Sequence, residues 1–123
     1  MGIWPTLALD VLCILVFAIV GRSSHGEASD LLGVLRTAWP FVVGGLLGVL
    51  IGRTWRRPGS MPAALYVWIS AVVAGMTLRV LTGGTTQVSF IIVTTVVLGV
   101  FFLGWRAARR AIKAARIRRS KPA

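Results

Sequence analysis

Four apolar runs, Trp4–Val20, Leu31–Gly52, Ala63–Leu81 and Gln87–Trp105, alternate with short polar connections along the chain. Each is close to the roughly 20 residues that a helix needs to cross about 30 Å of hydrocarbon. The second run needs its polar start, because the stretch from Ala38 to Gly52 alone covers only about 22 Å at 1.5 Å per residue. Its helix is therefore expected to begin beside Asp30, a residue type suited to the N-cap. The pattern predicts an all-α fold, an integral-membrane four-helix transmembrane bundle over residues 1–105. The basic tail, residues 106–123, extends the fourth helix, since its Ala, Arg and Lys are good helix formers.

Composition narrows this further. The chain has 123 residues, 56% of them hydrophobic, with fourteen Lys or Arg against three Asp or Glu. That is too apolar for an ordinary soluble domain of such charge. Eight of the cations (Arg106, Arg109, Arg110, Lys113, Arg116, Arg118, Arg119 and Lys121) lie in the last eighteen residues. The connection after the second run adds Arg53, Arg56 and Arg57, whereas the other two connections hold Arg22 beside Glu27 and Asp30, or no cation at all. The positive-inside rule then places both termini in the cytoplasm. Nucleic acid is not an expected partner, because its readers mount their cations on a folded, water-facing surface. The tail's expected partner is the anionic inner leaflet, at about 1 kcal/mol per cation. The lone Cys13 lies inside the first span, so no intrachain disulfide forms.

Small residues mark where helices approach. Gly44, Gly48 and Gly52 recur every four residues in the second run, and Ala71 and Gly75 do so in the third. In lipid such spacing lets helix backbones pack closely. Two arrangements satisfy it: packing within one bundle, or a homodimer seam. Pro40 removes a backbone hydrogen bond and is expected to kink or loosen the second helix.

With this topology, most polar groups of the spans gather on the outer side. Arg22, Arg36, Thr37, Arg79, Thr85, Thr86 and Gln87 collect there, beside the positive dipole ends of the second and fourth helices. Cations and helix N-termini together suit a carboxylate, a phosphate or a lipid head group. The plainer alternative has Glu27 and Asp30 neutralising two arginines while the rest snorkel. Asp10 stands apart, about six residues into the first helix on the cytoplasmic side. At that depth an acid is protonated, paired or water-facing, because desolvation disfavours its charge. Its candidate roles are proton coupling, capping a neighbouring helix, or a hydrogen bond to a threonine such as Thr94. His25, Glu27 and Asp30 lack the spacing of a metal site. No nucleophile–base signature or phosphate loop is found, so no enzyme, metal or cofactor is expected. The leading functional expectation is binding or transport of a small anionic or zwitterionic solute in an outward-facing cleft. The alternative is a structural or accessory subunit of a larger membrane assembly.

Several short motifs also carry a family resemblance. Gly21-Arg22-Ser23-Ser24-His25, Thr37-Ala38-Trp39-Pro40-Phe41 and Gly75-Met76-Thr77-Leu78-Arg79, followed by Gly84-Thr85-Thr86 and Phe90, occur in that order. Over Asp10 to Arg106 the chain resembles the bacterial membrane family known as domain of unknown function 3054. The resemblance implies a multi-pass protein of the bacterial inner membrane and transfers no activity, substrate or site residue. Twelve Arg against two Lys fit a GC-rich bacterial genome.

Overall fold

The computed structural model describes residues 2–24, 30–84 and 87–120, Ser24 by its backbone alone. Helices α1 (Ile3–Ser24), α2 (Leu31–Gly52), α3 (Met61–Leu81) and α4 (Val88–Ser120) follow one another, with a 3-10 turn at Thr54–Arg56 between α2 and α3. All four are long and apolar enough to cross a membrane, and the described residues contain no strand. The chain is thus an all-α, four-helix membrane bundle. Successive helices run in opposite directions. The start of α1, the connection 53–60 and the end of α4 share one end, here the tail end. The α1–α2 and α3–α4 connections share the far end.

Two boundaries differ from the sequence pattern. Helix α1 continues to Ser24, so Arg22 sits in its last turn instead of in the following connection. Helix α4 runs unbroken for 33 residues, about 50 Å at 1.5 Å per residue. That is longer than the roughly 30 Å of hydrocarbon that one crossing needs. Helix α2 passes through the buried Pro40 without interruption. Asp30 does take the N-cap position of α2, but its side chain makes no capping hydrogen bond.

The tail-end connection is tightly built. Arg53 closes α2 in the left-handed region (φ 47°, ψ 46°), returning its N–H to the carbonyls of Leu50 and Val49. That conformation is usually left to glycine, and it satisfies carbonyls that the helix end exposes. Ser60 then caps α3: its Oγ accepts from the Ala63 N–H at 3.2 Å and donates to the Arg57 carbonyl at 2.7 Å. Pro62 follows in the first turn, where a missing N–H costs nothing.

Helices α2 and α3 meet along the glycines. A Cβ on Gly44 would lie 2.9 Å from both the Gly75 nitrogen and the Ser70 carbonyl oxygen. One on Gly48 would come within 2.5 Å of the Tyr66 carbonyl oxygen, and one on Gly52 would run into the Tyr66 ring. From the other side, Gly75 makes room for the Phe41 ring, whose Cδ1 would be 2.5 Å away. The Ser70 hydroxyl donates to the Gly44 carbonyl at 2.7 Å across the seam. Within one chain α3 thus packs on the glycine stripe of α2, the first of the two arrangements that the spacing allows. Toward α4, the Trp68 ring lies against Gly99 and its Nε1 donates to the Thr95 carbonyl at 2.8 Å.

Gly45 provides an internal control, since a Cβ there would make only ordinary contacts, 3.7 Å from Val67 and 4.0 Å from Ala71. Gly48→Ala is expected to lower stability by about 1–3 kcal/mol through overpacking against backbone. Gly45→Ala should be neutral or stabilising by up to about 1 kcal/mol, from helix propensity alone. Thermal unfolding of the two variants in one detergent checks the contrast.

Candidate functional site

The most highly organised polar site lies at the tail end, between α1 and α4. Thr94, Leu98, Phe102 and Arg106 fall every four residues along α4, and all four are buried. Arg106 therefore continues the core-facing stripe and is only 1% exposed. Opposite it, Thr6, Asp10 and Ile14 form the buried stripe of α1. The two charged residues meet as a bidentate ion pair: Arg106 Nη1 donates to Asp10 Oδ1 at 3.0 Å, and Nη2 to Oδ2 at 2.8 Å. Trp105 Nε1 also donates to Asp10 Oδ1 at 2.9 Å. Arg106 Nε reaches the Pro58 carbonyl at 3.0 Å, and Nη1 closes back on the Phe102 carbonyl at 3.1 Å. The guanidinium is also stacked 4.4 Å from the Trp105 ring centroid.

This geometry answers the cost of burial. An unpaired charge in a low-dielectric interior is expensive, and pairing repays it only when the remaining donors and acceptors are satisfied. Here four N–H groups of Arg106 are used, and no buried side-chain nitrogen or oxygen among the described residues lacks a partner. The void beside Asp10 holds about 20 Å³, room for one water at most. Asp10 is thus the paired acid of the sequence-level alternatives. Thr94, named as its candidate partner, instead donates to the Phe90 carbonyl of its own helix at 2.7 Å.

At the far end the expected residues separate into distinct groups. Arg22 Nη1 donates to the Thr37 hydroxyl at 3.3 Å. A Cβ on Gly33 would fall 2.5 Å from Arg22 Nη2 and 2.8 Å from Asp30 Oδ1, so guanidinium and carboxylate gather over that glycine. Arg79 sits elsewhere, with its guanidinium 4.4 Å from the Phe90 ring centroid. Phe90 joins Phe17 and Phe41 in a three-ring cluster, with centroids 5.5 to 6.3 Å apart, so all four helices meet under Arg79. Arg36 and Gln87 are exposed. Thr85 and Thr86, with His25 and Glu27, lie outside the described residues. The structure thus joins Arg22 to Thr37 and gives Arg79 a ring to cover, and it does not bring Arg36 to either.

Sequence reasoning missed Arg106, Trp105 and Pro58. Arg106 was counted with the tail cations, because it opens a run of eight. The signal that would have separated it is the four-residue period from Thr94, together with a lone acid on another helix that needs a buried cation.

Removing either partner strands a charge, so Asp10→Asn and Arg106→Gln are each expected to destabilise the protein by about 3–5 kcal/mol. The double variant Asp10→Asn/Arg106→Gln should lose clearly less than the sum. Melting of all three in detergent measures this, and strict additivity would refute the coupling.

No curated protein and no solved structure matches the chain. A family match is found, however, and it spans both partners of the buried pair and both ends of the bundle. Over residues 7–109 the chain matches, and belongs to, the family described as protein of unknown function (DUF3054).

Proposed function

We propose that the chain is a non-enzymatic accessory module of the bacterial cytoplasmic membrane, with both termini in the cytoplasm. The observation that carries this reading is the end of α4. From Ala107 to Ser120 it is a cationic helix, exposed all along except at the half-buried Arg109. It carries six Lys or Arg and no Asp or Glu, so it favours an acidic surface beside it. An anionic leaflet or an acidic face of a neighbouring protein supplies one.

The interior supports the same reading. Between the two polar ends, Ile14, Phe17, Phe41, Ala71, Leu98 and Phe102 are each at most 2% exposed. Close-packed apolar side chains fill the space a translocated solute needs. Orientation follows from charge: the connection 53–60 and the α4 extension carry the cations, which favours retaining that end in the cytoplasm.

A second reading, binding of a small anionic or zwitterionic solute at the far end, has one observation in its favour. Arg22 is held against Thr37 over a glycine, and Arg79 lies near the same end. In this reading Arg36, Thr85, Thr86 and Gln87 supply further contacts, while Asp10, paired at the opposite end, is removed from them.

One experiment separates the two. Full-length protein, purified alone and reconstituted in liposomes, is expected to show no uptake of small organic anions. It should also co-purify stoichiometrically with one other membrane protein, and Arg116→Gln/Arg118→Gln/Arg119→Gln should abolish that association without changing the melting temperature. Anion uptake lost in Arg79→Ala would sink the accessory reading in favour of the second. For the orientation, a phosphatase active only outside the cytoplasm should be inactive when fused after Ser120 and active after Gly83.

A further inference from the structure

A second polar feature lies just beyond the buried ion pair. The connection 56–60 and the flank of α4 enclose a groove of about 450 Å³, walled by Arg56 and Arg57 on one side and Arg109, Arg110 and Lys113 on the other. Its two walls are fixed relative to each other, because Arg106 Nε holds the Pro58 carbonyl at 3.0 Å from inside the bundle. Gly59 adds to this closeness: a Cβ there would stand 3.0 Å from Arg109 Nη1, so that guanidinium lies over the loop backbone.

Among the described residues nothing neutralises the groove's charge. Of the chain's three acids, Asp10 is consumed by Arg106, Asp30 lies at the far end, and Glu27 belongs to the α1–α2 connection outside the described residues. None of the five groove cations has an ion-pair partner among the described residues. Five like charges held around one concavity repel one another unless an anion enters. Four of the five are arginines, whose planar forks match the oxygens of a phosphate in pairs.

Tryptophans give the groove's depth. Three of the chain's five, Trp4, Trp55 and Trp105, lie at the tail end, and Trp4 and Trp55 are 78% and 47% exposed. Such rings settle at the boundary between hydrocarbon and water. Arg56 and Arg57 follow Trp55 directly, and Arg109 stands one turn beyond Trp105, so the groove opens at head-group level.

We propose that this groove binds a phosphate ester anion, supplied by the head group of an anionic phospholipid. The proposal rests on the reading of the tail end as the leaflet-gripping one, and it turns a diffuse attraction into a defined site. A soluble phosphorylated ligand would present the same chemistry from the aqueous side.

The test uses the full chain in a neutral detergent. Short-chain phosphatidylglycerol, short-chain phosphatidylcholine and inorganic pyrophosphate are titrated separately, with calorimetry and Trp fluorescence as readouts. Saturable binding of phosphatidylglycerol over phosphatidylcholine is expected, with pyrophosphate weaker. Tighter binding of pyrophosphate supports the same site with a soluble ligand. Arg57→Gln/Arg109→Gln should weaken binding about thirtyfold, given about 1 kcal/mol per cation. The charge-matched pair Arg118→Gln/Arg119→Gln should change it less than about threefold, since those residues lie outside the groove. Equal weakening by both pairs overturns the groove and leaves the leaflet reading standing. No preference of the parent chain for phosphatidylglycerol, with no pyrophosphate binding, overturns both. Should the Gln pair not fold, Arg57→Lys/Arg109→Lys keeps the charge and loses the fork: a severalfold loss supports the site, and unchanged affinity refutes it.

Discussion

A carboxylate and a guanidinium buried together at one end of an apolar bundle set the terms for everything around them. Neither can be left alone there, because the penalty of several kcal/mol per ion is repaid only by complete pairing. Asp10 therefore draws α1 onto α4, and the remaining N–H groups of Arg106 draw in the Pro58 carbonyl. Segments far apart in sequence are tied at one guanidinium: the first helix, the α2–α3 connection and the last. The family match covers all of them, from residue 7 to residue 109.

The rest of the bundle is held by a different kind of interaction. Lipid offers apolar side chains no hydrophobic reward for leaving it, so the helices associate through close backbone approach and interhelical hydrogen bonds. Gly44, Gly48 and Gly52 serve the first on α2, and Ser70 and Trp68 serve the second from α3. At the far end the Phe17, Phe41 and Phe90 rings join α1, α2 and α4, and Arg79 of α3 lies over Phe90. The two ends thus differ in character. One is a locked ion pair flanked by unneutralised cations. The other combines an aromatic cluster with arginines that already have company.

Much of the fold was legible in the sequence, because a helix that crosses lipid must be apolar for its whole length. The four spans, the need for the polar start of α2 and the glycine seam all follow from that constraint. The end of α1 did not, since Gly21 and Arg22 read as loop residues while the backbone stays helical to Ser24. The site was less legible for a physical reason. Residues on an all-apolar helix can be placed by depth, but no polar face reveals the helix's rotation. Hence depth alone did not tell Arg36, which is exposed, from Arg22, which meets Thr37. Arg106 was hidden differently, as the first member of a charge run whose other described members face solvent or the groove.

Arg106 is a structural ion inside the bundle, and its neighbours in the tail are not. Nitrogen-15 NMR of the arginine side chains in lipid nanodiscs reads this directly, through exchange of each Nε–H with water. One slowly exchanging Nε–H is expected, assigned to Arg106, retained when Arg109 and Arg110 have exchanged away, and lost in Asp10→Asn. An Arg106 Nε–H that exchanges as fast as those of Arg109 and Arg110 in the unmodified protein would contradict it.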